Sequence, residues 1–186
     1  MSKEKTNNEL RPQIILTWIS WSGKTTLMKW LLAKYPNEFA KPIQYTTREQ
    51  RFENELDDYV FLTTPTFTRK LVNWDFIEYT EYNKELYAIW KYFDISKSNI
   101  FIAEPVWREA LQRHFKLNDI PFKTFYVKIP KEEMVRRLEG RRSSIMTIWE
   151  RLKDLKYFYP LPHDNILDWT DREESLVNEV RKICRS

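Results

Sequence analysis

The stretch Gln13-Ile14-Ile15-Leu16-Thr17-Trp18-Ile19-Ser20-Trp21-Ser22-Gly23-Lys24-Thr25-Thr26 decides how the chain is read. Its first five residues form a short apolar run that ends at a turn, the pattern of a buried strand. Beyond it, Met28, Leu31, Leu32 and Tyr35 recur at helical spacing, which predicts an amphipathic helix stopping before Pro36. The connection closes on Gly23-Lys24-Thr25-Thr26, the end of a G-x-x-x-x-G-K-[ST] phosphate loop. In such a loop the backbone N–H groups at a helix N-terminus cradle phosphates, the lysine reaches the β- and γ-phosphates, and the next hydroxyl holds Mg²⁺. A strand–helix turn with an accidental Gly-Lys-Thr is the plain alternative. The strand-loop-helix setting favours the phosphate site.

The loop departs from its pattern where chemistry needs it most. Trp18 stands at the first glycine, and a second indole, Trp21, lies inside the loop. Glycine serves there because it adopts positive φ and lets the backbone approach the anion. Composition shows that this is no local accident. The 186 residues include 2 Gly and 8 Trp, whereas average usage of about 7% would give roughly 13 Gly.

Other classes are excluded early. The chain carries 31 Lys and Arg against 27 Asp and Glu, a formal charge of +4. That mild excess suits a handler of phosphate anions better than a binder of long nucleic acid. No apolar run approaches the ~20 residues of a membrane span, and the polar start lacks the apolar centre of a secretory signal. One cysteine, Cys184, allows no intrachain disulfide, and two histidines with one cysteine make no usual zinc site. The expectation is a cytoplasmic, monomeric or homodimeric protein without nucleic-acid or membrane partners.

Further apolar runs predict strands at Asn99–Ala103, Phe122–Ile129 and Asp164–Asp168, with helices over about 106–115, 131–139, 146–158 and 172–184. Strands alternating with helices imply a parallel sheet covered on both faces. Residues 43–90 differ. Short strand-like pieces rich in Thr, Tyr and Phe, at 43–47, 58–62, 75–81 and 85–88, surround one helical piece near 65–73. They predict a small, mostly β lobe inserted into an α/β core of residues 12–42 and 91–186, making a cleft for a second ligand.

From Gln13 to about Cys184 the chain resembles guanylate kinase. The phosphate loop resembles G-P-S-G-S-G-K-[ST]-T, and Tyr45-Thr46-Thr47-Arg48-Glu49-Gln50-Arg51 resembles S-x-T-T-R-x-x-R. Asp57-Asp58-Tyr59-Val60-Phe61 is similar to D-G-x-D-Y-x-F, and Asn73-Trp74-Asp75-Phe76-Ile77-Glu78-Tyr79 to N-G-E-F-[IL]-E-[WY]. Leu86-Tyr87-Ala88-Ile89 resembles L-Y-G-[ST], and Ala103-Glu104-Pro105-Val106-Trp107 resembles I-D-x-Q-G. Arg137-Leu138-Glu139-Gly140-Arg141, followed by Arg151-Leu152, resembles the lid R-L-x-x-R and its downstream R-L. The order and spacing of these pieces carry the resemblance.

It implies a P-loop NTPase-type parallel sheet, an inserted lobe for a nucleoside monophosphate, and a short Arg-rich lid near 139–147. It also implies transfer of the ATP γ-phosphate to GMP with Mg²⁺. Ser20, Trp21, Ser22, Gly23, Lys24, Thr25 and Thr26 would bind ATP, Thr25 also holding the metal. Gln44, Arg48, Arg51, Tyr59, Glu78, Tyr87 and Glu104 would bind GMP. Lys24, Arg48, Arg141 and Arg151 would stabilise the transferring phosphoryl group. Without the resemblance, Tyr59 and Tyr87 read as packing residues, Glu78 as an exposed strand residue, and the arginines at 136, 137, 141 and 142 as a solvated helix face.

Trp18, Trp21, Trp74 and Trp107 all fall at glycines of these patterns. UGA codons translated as Trp, in a gene whose source reads them as Gly, explain the coincidence. Converting every Trp would bring the glycine count to 10. The competing reading is a true glycine-depleted chain that binds a phosphorylated protein without catalysis. Gln44 for Ser, Lys84 for Gly, Ala88-Ile89 for Gly-[ST] and Val106 for Gln are departures that recoding cannot explain, and they leave open a kinase with another acceptor.

Overall fold

The computed structural model describes residues 10–17, 24–50, 59–82, 84–140, 145–154, 160–161 and 164–186. The expected first strand is β1 (Gln13–Thr17), buried along its whole length. The chain continues as α1 (Lys24–Lys34), β2 (Phe39–Ala40), β3 (Gln44–Thr46), β4 (Val60–Phe61), α2 (Thr64–Val72), β5 (Phe76–Tyr82) and β6 (Glu85–Trp90). Then follow β7 (Ser98–Ala103), α3 (Pro105–Leu117), β8 (Phe122–Lys128), α4 (Lys131–Gly140), α5 (Ile145–Asp154), β9 (Asn165–Asp168) and α6 (Glu173–Arg185).

Five strands form one sheet in the order β2-β7-β1-β8-β9, all pairings parallel. Alternation along β1 explains its two-sided burial. Ile14 and Leu16 join Leu27, Leu31, Phe125, Leu167, Leu176 and Val180 in one apolar layer. Ile15 points to the other, with Phe101, Ala103, Leu111 and Phe115. β1 therefore sits at the centre of the sheet, and its C-terminal end feeds the phosphate-loop segment. A buried amide pair fixes the opposite end of the strands. Gln13 Oε1 accepts from Asn99 Nδ2 at 2.9 Å, and Asn99 Nδ2 also donates to the Asp94 carbonyl at 2.8 Å.

The lobe is a mixed sheet, β4-β3-β6-β5, with β3 and β4 parallel and the other pairings antiparallel. Tyr45, Phe76 and Ala88 pack on Phe67 of α2. On the opposite face Ile89 is fully buried against Ile15 and Phe101 of the core.

Two helices end in the same motif. After α2, the Asp75 N–H donates to the Lys70 carbonyl at 3.1 Å and the Trp74 N–H to Leu71 at 3.0 Å. After α3, the Ile120 N–H donates to Phe115 at 2.9 Å and the Asp119 N–H to Lys116 at 3.4 Å. Both are Schellman ends, which place a left-handed residue, usually Gly, just past the helix. Asp119 has φ 52°, and Trp74 has φ 56° with 82% of its surface exposed. The position that the family pattern marks as glycine thus has a glycine-type backbone. Lys84, which also stands at a family glycine, has φ 66° in the β5–β6 turn.

The tryptophans are unequal in this respect. Trp30 and Trp169 stack with centroids 5.5 Å apart, and Trp90 lies 4.2 Å beneath the Lys70 ammonium. Trp74→Gly is expected to raise stability by about 1 kcal/mol, because an L-residue in the left-handed region costs roughly 1–2 kcal/mol. Trp30→Gly, inside α1, is expected to lower it by about 1–2 kcal/mol through helix propensity and the lost ring pair. Urea unfolding of the two variants measures both signs.

Candidate active site

Parallel strands of an open sheet present ligands at their carboxyl ends, beside the switch in strand order. Here β1 lies between β7 and β8, so Thr17 and Ala103 end side by side. Lys24 opens α1 seven residues after the first of them, and Glu104 follows the second as the N-cap of α3. Glu104 stands one residue past the end of β7 and is exposed.

Lys24 is buried, and loss of hydration lowers its pKa from 10.5 to about 7, the Glu104 carboxylate opposing the shift. The ammonium at the start of α1 is thus kept largely out of water. Thr25 and Thr26 occupy the same first turn and are exposed, so the Thr25 hydroxyl is open to a ligand. A triphosphate beside Lys24 would raise its pKa again. ATP binding at pH 8 is therefore expected to take up close to one proton, and far less at pH 6. Calorimetry in two buffers of different ionisation enthalpy reads the uptake directly.

The second half of the site lies on one face of the lobe. Residues directly opposite in a sheet share a face. Gln44 pairs with Ile89, and Ile89 with Glu78; Thr46 pairs with Tyr87, and Tyr87 with Thr80. The Phe76/Glu78 register shift is a bulge that brings Glu78 opposite Ile89. Gln44, Glu78 and Tyr87, three of the expected acceptor residues, therefore line one surface.

Arg48 joins them just past β3. Its backbone N–H donates to Thr46 Oγ1 at 3.3 Å, and its Nη1 to the Glu49 carbonyl at 3.0 Å. The guanidinium lies 5.1 Å from the Tyr59 ring centroid and 5.3 Å from that of Phe61. Tyr59 meets Tyr87 edge-on at 6.3 Å. Arg48, Tyr59 and Tyr87 thus form one cluster, and Glu78 lies on the same face, its Oε1 accepting from the Tyr79 N–H at 2.9 Å.

Trp107 packs beside Ile77 against the apolar cluster that holds Ile89. An indole at this family-glycine position therefore fills space where lobe and core meet. Phe61, which stacks on Arg48, and the buried pair Arg108–Asp164 were not singled out in the sequence. The first has a signal, its place two residues after Tyr59 in the D-Y-x-F piece. The second has none, because its members lie 56 positions apart.

Ser20, Trp21, Ser22 and Gly23 of the loop, Arg51 and Arg141 lie outside the described residues. Arg151 is carried by α5, and its side chain lies outside them too. Of the expected lid, residues 141–144 lie outside them as well, whereas 145–147 form the first turn of α5; the expected end of that helix at 158 also lies outside the described residues. Among the described residues no three His, Cys, Asp or Glu gather as a metal cage, and no helix is long and apolar enough to cross a membrane.

Known proteins match this arrangement. The guanylate kinase family model covers residues 10–183. The chain is 28% identical to guanylate kinase of Anaplasma phagocytophilum, with 92% of this chain and 89% of that protein aligned. It is 29% identical to guanylate kinase of Ehrlichia ruminantium, over 95% of this chain and 88% of that one. The crystal structure of the Anaplasma phagocytophilum enzyme superposes with a TM-score of 0.62 at 21% identity, covering 95% of this chain and 85% of its own. A gluconokinase from Sinorhizobium meliloti shares the fold at a TM-score of 0.51 and 10% identity, over 95% of both chains. The central parallel sheet, the mixed lobe and the sequence agree, and the chain belongs to the guanylate kinase family.

Proposed function

We propose that this chain transfers the γ-phosphate of ATP to GMP, giving ADP and GDP, as a step of purine nucleotide metabolism in the cytoplasm. The observation that carries the reading is the Arg48–Tyr59–Tyr87 cluster on the lobe face that also bears Glu78, together with a buried Lys24 under the influence of Glu104. An arginine fork and two phenolic hydroxyls match a phosphate, and a carboxylate matches the two donors on the N1 and 2-amino edge of guanine. An acceptor phosphate oxygen attacks the γ-phosphorus while the bond to the β,γ-bridging oxygen breaks. No covalent enzyme intermediate is needed, so the chain's work is alignment and charge neutralisation.

In this reading Lys24 meets the donor phosphates and Arg48 holds the acceptor, and the family resemblance gives Arg51, Arg141 and Arg151 the same charge-neutralising role. Magnesium fits the residues present. Thr25 is exposed and Glu104 supplies a carboxylate that acts on the adjacent Lys24, a sparse oxygen set of the kind that holds Mg²⁺ with phosphates and water. Bound there, the ion would neutralise charge developing on the phosphate oxygens. Closure of the lid over the phosphates would exclude water from the transfer.

The literal loop, with Trp18 and Trp21, supports a second reading as a binding module without catalysis. A coupled ADP-release assay with GMP, AMP, dTMP and UMP separates the two. It compares the sequence as written with a version carrying Gly at all eight Trp positions. GMP-dependent turnover in the Gly version supports the kinase; absence of turnover in both folded proteins defeats it. Preference for another monophosphate would keep phosphoryl transfer and discard the acceptor.

A further inference from the structure

The buried pair Arg108–Asp164 sits where stability alone gives little reason for it. Arg108 Nη1 lies 3.2 Å from Asp164 Oδ2, with side-chain exposures of 9% and 0%. The same carboxylate oxygen accepts the Leu161 N–H at 2.7 Å. Arg108 Nε is buried and finds no hydrogen-bond acceptor among the described residues. Desolvation offsets most of the attraction in such a pair, and a well-packed apolar substitute is often neutral or stabilising. What a buried pair of this kind can contribute is a fixed position.

The topology shows what it fixes. Arg108 lies one turn into α3, and its N–H donates to the Glu104 carbonyl at 2.8 Å. Glu104 occupies the N-cap position of that helix without a side-chain capping bond, and its carboxylate acts electrostatically on Lys24. Helix α3 packs on β1, β7 and the lobe strand β5, so its seating sets both Glu104 and one wall of the cleft. Asp164 directly precedes β9, two strands beyond β1 in the sheet order. It also lies ten residues after α5, the helix that carries Arg151. One ion pair thus ties the helix bearing Glu104 to the chain returning from the lid side.

We propose that Arg108 is a positioning residue for phosphoryl transfer: its buried bridge to Asp164 holds α3, and with it Glu104, in register with the donor-phosphate site. The inference rests on the kinase reading above, and its test is run on whichever form of the protein turns over GMP.

In Arg108→Met/Asp164→Leu both charges are replaced together, so neither is left buried alone. Expected are an unchanged or higher melting temperature, a kcat lower by about 10- to 100-fold, and KM values for ATP and GMP within about twofold, because small misplacement penalises the reacting geometry more than binding. Retained kcat in the folded double variant overturns the proposal while leaving the kinase assignment intact. Should that variant fail to fold, Arg108→Lys in an otherwise unchanged chain provides the reading. It keeps the charge but loses the fork that sets geometry. A lowered kcat at native stability supports the positioning role, and native kcat rejects it. If no form of the wild-type chain turns over GMP, the underlying kinase reading has failed and this inference falls with it.

Discussion

Methionine at position 24 lowers kcat/KM for MgATP by about three orders of magnitude, the scale of single oxyanion donors and arginine fingers. The same change leaves the fold as stable or more so. Lys24 is buried, with a pKa near 7, so the folded chain carries a poorly hydrated ammonium at neutral pH and below. An unbranched thioether fills the same space without that cost. The pH dependence has a definite sign. Between about 7 and the ordinary value of 10.5 the unfolded chain binds more protons than the folded one. The contribution of Lys24 to stability therefore rises with pH across that window. Below pH 7 both states are protonated and the penalty is complete, so Lys24→Met gains most there. Steady-state kinetics with thermal melts at pH 6 and pH 9 measure both halves. Loss of activity together with loss of fold would refute the separation.

Arg48→Ala raises the KM for GMP by about 10- to 100-fold, as expected for losing a charge-assisted contact worth roughly 1.5–3 kcal/mol. It also lowers kcat, because the acceptor oxygen is no longer held in line, and leaves the KM for ATP unchanged. Stability falls by about 1 kcal/mol, since the guanidinium packs over the Tyr59 and Phe61 rings. Arg48→Lys recovers only part of the GMP affinity. A lysine supplies charge but neither the planar fork nor the broad ring contact. Initial-rate measurements with each nucleotide varied in turn check all of this, and an equal rise in both KM values would contradict an acceptor-side role.

Much of the architecture is legible in one dimension because burial leaves a periodic trace. Gln13–Thr17 and Phe122–Lys128 show it plainly as apolar runs, and both are interior strands. Phe39–Ala40 shows nothing, since two residues hold no period; only pairing with Ser98 and Asn99 makes them a strand. The strands of the lobe begin and end within two residues of their expected bounds, for the same reason.

At the site, residue types were readable and their convergence was not. Nothing in the chain order places Gln44, Ile89 and Glu78 in one row, and the bulge that re-aims Glu78 has no signature at Ile77. Burial of Lys24 is likewise a tertiary property. Trp74 is the reverse case. The family pattern marks position 74 as glycine before any φ is known, and the Schellman end of α2 supplies the physical reason. The same backbone at Lys84 shows that a left-handed turn can carry a side chain, so this geometry makes glycine preferable at 74 without making it obligatory.

Strand β6 divides its labour by parity. Ala88 and Trp90 turn towards Phe67 and hold the lobe together, while on the other face Tyr87 meets Tyr59 and Ile89 is buried against Ile15 and Phe101 of the core. The packing of the lobe and the make-up of its other face are thereby written on alternate letters of one six-residue strand. A change at one parity bears on one face of the sheet alone, whereas a slip of one residue would scramble both messages at once.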